Sequence, residues 1–153
     1  MLPVAQTYAA PDFRALAAVS GKEGDTEGQR IRFAAADLYR QGRLEEADLL
    51  TRAALQHYPD SEDVLVIRAL ICEVQHDWSN AASALEHLLS LQGQNAPAES
   101  WYHWVRVLRC DGQLTSGLKA VLRALQLYPA HPALASELAQ LEALGVHDDR
   151  KAA

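Results

Sequence analysis

A chain of 153 residues is long enough for one domain, or for a few stacked repeat units that share a core. Its 14 basic and 20 acidic residues give a formal charge of −6, which would repel a phosphate backbone and argues against nucleic-acid binding. No apolar run is long enough to cross a membrane, and the first residues lack the pattern of a signal peptide. We therefore expect a cytoplasmic protein without membrane insertion.

Alanine and leucine dominate the apolar residues, and β-branched residues are few. This composition is typical of helices, so the fold class predicted from it is all-α. Cys72 and Cys110 are the only cysteines, and both lie inside helical apolar patterns. They indicate buried thiols in a reducing compartment and not a disulfide framework.

The first segment, residues 1–25, combines a short amphipathic pattern with a polar connector. Phe13, Leu16 and Val19 have the spacing of a helix face, and the glycine-rich stretch SGKEGDTEG follows. Such a stretch buries too little apolar surface to order itself. We predict a short N-terminal helix and a flexible connector before the main domain.

The first predicted hairpin covers the stretch that ends at Pro59. Thr26 and Gln29 have the spacing of a capping box, and an apolar stripe continues to about Gln41. Gly42 then ends the helix, and a second stripe stops before Pro59. The pattern predicts two helices joined by a tight turn.

The second hairpin begins with a helix that Asp60 or Ser61 can cap, and its apolar circumference predicts the most buried helix of the chain. Trp78 opens the next helix, which continues to Leu91 before Gly93 breaks the pattern.

The third hairpin lies between Pro97 and Pro129, with its turn at Gly112. A last helix over residues 133–144 follows, and residues 146–153 form a charged tail that we expect to be frayed. These patterns predict about seven helices after the N-terminal one: three hairpins and a capping helix.

One short sequence motif occurs twice in the chain. ALQHYP at residues 54–59 returns as ALQLYP at residues 124–129, 70 positions later. Two units of about 34 residues, with two extra residues near the Gly93–Pro97 junction, account for this distance. Small residues at the helix crossing, such as Ala47 and Ala54, belong to the same pattern because they let two helices approach closely.

On these residues the chain resembles the tetratricopeptide repeat (TPR) family over about residues 28–131. Trp101 stands at the family's tryptophan position, and Pro59 and Pro129 close the first and third units. The resemblance implies an α-α superhelical solenoid of three repeats plus a capping helix, as one domain over residues 26–145. It also implies a non-enzymatic protein that binds other proteins.

In that family the first helix of each hairpin lines a concave groove. The outward positions of these helices are apolar in the middle of the chain and basic at its ends. They are Arg32, Tyr39, Arg40, Val66, Leu70, Val74, Tyr102, His103, Arg106 and Arg109. We predict that they bind a peptide or helix with a hydrophobic anchor and acidic flanks. The alternative is that Val66, Leu70 and Val74 pack against neighbouring helices or the N-terminal helix.

Two groups of TPR proteins are relevant. The subclass that clamps the carboxylate end of chaperone tails does not fit, because Ala36 and Ile67 replace its amide side chains and Glu99 and His103 replace its cations. The layout of a helical N-terminal segment followed by three repeats is similar to that of the small chaperones of type III secretion. Those chaperones hold hydrophobic cargo segments in the groove.

Catalytic and metal-binding interpretations find little support. Cys72 with His76 and His103 with Cys110 have helix-face spacing, but no second pair completes a zinc site. No phosphate loop or nucleophile motif is present. We predict a non-enzyme without cofactor or metal that acts as an adaptor or chaperone. A scaffold or regulatory subunit of an enzyme or secretion complex and a self-assembling module, including a homodimer, are the alternatives.

Overall fold

The structure is a computed structural model that describes residues 26–146. The helix predicted around Phe13–Val19 and the tail from residue 147 lie outside the described residues. Within the described part the chain forms seven α-helices and one short 3-10 turn. They are α1 (Thr26–Arg40), α2 (Leu44–His57), α3 (Glu62–Val74), α4 (Trp78–Gln92), the turn Gly93–Asn95, α5 (Ala98–Cys110), α6 (Leu114–Leu127) and α7 (Pro132–Ala143). The all-α prediction and its seven helices are confirmed.

The three hairpin turns share one backbone conformation. Gly42 and Gly112 both have φ +77°, and His76 takes the equivalent position with φ +58°. In each turn the residue after this position donates a backbone hydrogen bond to the carbonyl five residues earlier. The N–H of Asp77, for example, bonds to the carbonyl of Cys72 at 2.8 Å. A left-handed residue is what lets the chain make this bond at the end of a helix. The turn before Trp78 is therefore the same turn built without glycine.

Helix α3 is the buried centre of the first half of the chain. Every residue from Asp63 to Glu73 is buried, as the apolar pattern predicted. Ser61 caps the helix by accepting a hydrogen bond from the Val64 N–H at 3.3 Å. The predicted crossing residues Ala47 and Ala54 are both buried, which is consistent with close helix approach.

The described chain divides into two compact units, residues 26–95 and residues 96–146. In the first unit α3 packs against α1, α2 and α4. In the second unit α5, α6 and α7 pack against one another. The division follows Asn95, the last residue of the 3-10 turn, and therefore falls in the irregular Gly93–Pro97 junction that the repeat spacing indicated.

Candidate functional site

In the first unit an ion pair joins the first helices of neighbouring hairpins. Arg32 on α1 donates from Nη1 to Asp63 Oδ1 on α3 at 2.8 Å. The two side chains are only 10% and 2% exposed. The sequence placed Arg32 on an open basic face, whereas the structure buries it against a carboxylate. Its positive charge is therefore already compensated within the chain.

The other predicted groove residues of this unit differ in accessibility. Val66 and Leu70 are each 3% exposed, so they form part of the core and not an open apolar surface. Val74 and Tyr39 are half-buried, and Arg40 is exposed beside Asp37, with which it forms an ion pair. For Val66 and Leu70 the packing alternative describes the structure better. Tyr39, Arg40 and Val74 remain accessible to a partner.

The second unit also contains a buried ion pair between two of its helices. Arg109 on α5 donates from Nε to Glu137 Oε2 on α7 at 2.7 Å, and both side chains are at most 5% exposed. Burial by itself would lower the pKa of Arg109, but the hydrogen bond and charge of Glu137 outweigh it and raise this pKa. Glu137 therefore holds the guanidinium in its charged form. Arg109 does not provide an exposed basic side chain at this end of the predicted groove.

Three more predicted groove residues lie on α5. His103 is buried, whereas Tyr102 and Arg106 are half-buried. The rings of Tyr102 and His103 are tilted against each other with centroids 5.2 Å apart. Tyr102 and Arg106, four residues apart, share one helix face and are the accessible members of this group.

The tryptophans of α5 contribute mainly to packing. Trp101 is buried, and its ring centroid lies 6.0 Å from that of the half-buried Trp104. The guanidinium of Arg123 lies 5.8 Å from the centre of the Trp101 ring, within the range of a cation–π contact. Trp101 thus stands in the core position that the repeat pattern assigned to it.

Sequence reasoning missed the carboxylates that neutralise the groove arginines. Asp63 follows Arg32 by 31 residues and Glu137 follows Arg109 by 28. The spacing of Arg32 and Asp63 is close to one repeat of about 34 residues, so a basic and an acidic residue at such a separation on successive first helices were the available signal.

Two further observations concern the described residues alone. Between residues 26 and 146 no group of three or more His, Cys, Asp and Glu side chains is arranged to hold a metal ion. No helix in this part of the chain has the length and apolar character needed to span a membrane.

The hairpins, their shared turn and their small crossing residues define a TPR-like fold. No family model matches the sequence, and no curated protein matches it. The fold is similar to the second TPR domain of human RPAP3 in complex with the HSP70 peptide SGPTIEEVD. The TM-score is 0.66 at 13% identity, over 76% of this chain and 96% of that chain.

Two other solved structures show the same fold. The first TPR of Spaghetti (RPAP3) bound to the HSP90 peptide SRMEEVD has a TM-score of 0.67 at 16% identity, covering 79% of this chain and 95% of that one. The Yersinia enterocolitica type III secretion chaperone SycD, in complex with a peptide of the translocator YopD, has a TM-score of 0.65 at 14% identity. That match covers 81% of this chain and 98% of SycD. At these identities the similarity establishes the fold.

Proposed function

We propose that this protein is a non-enzymatic adaptor or chaperone that binds a peptide or helical segment of a partner protein on the first helices of its hairpins. The observation that carries the proposal is the TPR-like fold, since each of the three similar structures holds a peptide. First helices of stacked hairpins present a row of side chains suited to an extended or helical ligand.

The accessible residues define where each unit would contact the ligand. In the first unit they are Tyr39, Arg40 and Val74, and in the second unit they are Tyr102 and Arg106. Tyrosine and arginine are enriched at binding hot spots because they combine a large contact area with hydrogen-bond donors. These five residues carry the proposed contact, and Val66 and Leu70 support it from the core.

We expect the bound segment of the partner to need only a moderate negative charge. Arg32 and Arg109 are neutralised by buried carboxylates, so the attraction of acidic flanks rests on Arg40 and Arg106. The pair of Arg40 with Asp37 is solvent-exposed, and an exposed pair of this kind contributes little, so an acidic ligand could replace Asp37. We therefore expect electrostatics to act on the association rate more than on the affinity.

The proposal places the protein in a reducing compartment such as the cytoplasm. Cys72 and Cys110 are both buried free thiols, which is compatible with such a compartment. Within this function a secretion chaperone and a scaffold subunit differ in the partner that they hold. A self-assembling module would instead place a second copy of this chain on the same helices.

A photo-crosslinking experiment tests the proposed surface. A photoreactive phenylalanine analogue would replace Tyr102 on α5 in one variant, and the 52% exposed Leu127 on α6 in a control variant. Both would be crosslinked in cells, and the captured proteins identified by mass spectrometry. We expect one partner segment to be captured from Tyr102 and not from Leu127. Equal capture from both positions would contradict binding on the first helices.

Charge and side-chain removal then test affinity with the purified partner segment. Arg106→Ala should slow association and reduce its dependence on salt, whereas Lys119→Ala, which removes an exposed positive charge on the second helix α6, should not. Sedimentation of the protein alone would reveal self-assembly. If the protein forms large assemblies without a partner and Tyr102 crosslinks only to its own chain, the structural-module alternative is correct.

A further inference from the structure

A cavity of about 510 Å³ lies between the second helices α2 and α4 of the first unit, and α3 forms its floor. Its volume is in the range of small-molecule sites, roughly 300–1,000 Å³. Leu65 and Arg68 of α3 line it from below. Arg68 lies on a different face of α3 from Val66 and Leu70, because residues two positions apart on a helix point in nearly opposite directions. The cavity is thus separate from the proposed peptide-binding face.

Two arginines of this cavity share a single carboxylate. Arg68 donates from Nη1 to Asp48 Oδ1 at 2.7 Å, and Arg52 Nε lies 3.1 Å from Asp48 Oδ2. Arg68 Nη1 also contacts Thr51 Oγ1 at 3.0 Å. Its side chain is only 7% exposed, so the group is firmly held. One negative and two positive charges leave one net positive charge at the cavity wall.

The two guanidinium groups keep unused donors. Among the described residues every hydrogen bond of Arg68 comes from Nη1, and the only ion-pair contact of Arg52 is through Nε. The remaining N–H groups therefore have no acceptor in the described part of the chain. The other ionisable side chain of the wall, His87, already contacts Asp60 at 2.9 Å. The arginines are thus the groups that would attract an anion.

The rest of the lining limits the kind of anion. Leu55, Leu65 and Ala84 supply an apolar surface beside the guanidinium groups. A single net positive charge balances one negative charge, which fits a carboxylate better than a doubly charged phosphate. Guanidinium and carboxylate groups also match each other in planar, paired hydrogen bonding.

We propose that this cavity binds a carboxylate that carries a small apolar group. Either the C-terminal residue of a polypeptide or a free carboxylic acid of similar size can present this chemistry. The site is a second one on the protein, and it does not depend on the peptide-binding function of the first helices.

Titration with three probes, followed by the backbone amide signals of the ¹⁵N-labelled protein, tests the proposal. N-acetyl-leucine presents the carboxylate and the apolar group, and N-acetyl-leucine amide lacks only the negative charge. A hexapeptide that ends in leucine with a free carboxylate presents the same group at a polypeptide end. We expect N-acetyl-leucine to shift the amide signals around Arg52, Leu65 and Ser83, and its amide to leave them unchanged.

Matched variants show whether these shifts arise in the cavity. Ser83 and Ser79 are both exposed on α4, but only Ser83 lines the cavity. Ser83→Trp should therefore block binding, and Ser79→Trp should leave it unchanged, with helix content confirmed by circular dichroism for both. Arg52→Gln should weaken binding about tenfold by removing charged donors, whereas Arg30→Gln on the exposed surface of α1 should have no effect.

The hexapeptide separates the two sources of the carboxylate. If it shifts the same amides as N-acetyl-leucine, the cavity accepts a polypeptide end, and if it is excluded, the ligand is a free acid. Either result supports the proposal when Ser83→Trp abolishes binding. Equal shifts with the acid and its amide, no shifts at the cavity with any carboxylate, or binding that survives Ser83→Trp would overturn it.

Discussion

Arg109 and Glu137 form a two-bond ion pair between α5 and α7, with Nε to Oε2 at 2.7 Å and Nη2 to Oε1 at 3.3 Å. Both side chains are almost fully buried. Removing one partner would leave an uncompensated buried charge, which is far more costly than losing an exposed pair.

Glu137→Ala is therefore expected to lower the free energy of unfolding by about 3–5 kcal/mol. Urea denaturation followed by circular dichroism would measure it. As a control, Glu27→Ala breaks the exposed pair with Arg30 and should cost at most about 1 kcal/mol. The double variant Arg109→Met with Glu137→Leu should be more stable than Glu137→Ala. If Glu137→Ala costs no more than Glu27→Ala, the pair is not a buried one in solution.

Two tyrosines at equivalent positions provide a second test. The hydroxyl of Tyr128 donates to the Ala96 carbonyl at 2.6 Å, whereas the 40% exposed Tyr58 makes no such bond to the described residues. Tyr128→Phe should cost about 1 kcal/mol of stability, and Tyr58→Phe should be nearly neutral. Thermal unfolding of both variants would check this, and equal effects would show that the Tyr128 bond is not formed.

Two glycines of the third hairpin should respond in opposite directions to alanine. Gly112 has φ +77° with nothing within 4 Å of an added Cβ, so Gly112→Ala should destabilise by roughly 1–2 kcal/mol through the backbone alone. Gly117 lies inside α6, where its Cβ would meet Leu141 Cδ2 at 3.4 Å. Gly117→Ala should stabilise by about 0.5–1 kcal/mol because alanine is the better helix former. Chemical denaturation measures both, and a loss of stability for Gly117→Ala would indicate that Leu141 has no room to move.

Cys72 should be nearly inert in the folded protein. Burial raises the pKa of its thiol from 9.0 to about 11. At pH 8 about one thiol in a thousand is then ionised, and the thiolate is the reactive form. In a Cys110→Ser background, a chromogenic disulfide reagent should label Cys72 only after unfolding in urea. Rapid labelling of the native protein at pH 8 would contradict this.

The same shift predicts how stability depends on pH. Between pH 9 and pH 11 the thiol of the unfolded chain loses its proton while the folded chain retains it. The folded state then binds more protons, so stability should decrease as the pH rises through this window. Urea midpoints of the wild type and Cys72→Ala at pH 8 and pH 10.5 would test it, with the smaller decrease expected for the variant.

The architecture was predictable because local signals agreed with one another. Ser61 capped α3 where a serine precedes an apolar run, and Gly42 ended α1 where the stripe stopped. Buried small residues such as Ala47 followed from the repeat period. These features depend on residues only a few positions apart, and one sequence suffices to show them.

Accessibility on the first helices was much harder to predict. Helical spacing predicted that Arg32 lies on the outward face of α1, but this pattern gives no distance between the arginine and the carboxylate of Asp63 on α3. Whether two such charges meet or face water depends on how closely α1 and α3 approach, and this is a property of packing. The cavity lined by Arg52 and Arg68 was missed for the same reason, since it exists only where α2 and α4 stand apart over α3.

The buried carboxylate of Asp48 limits how the hairpins of this protein can be duplicated or exchanged. It is buried on α2, and its carboxylate is held by Arg68 from the following hairpin. The residues at its position in the later repeats are Ala82 and Leu118. A duplicated first hairpin, placed before a unit without an arginine like Arg68, would bury a charge with no counterpart. The hairpins of this protein are consequently not interchangeable modules, and the first is suited to the neighbour that follows it.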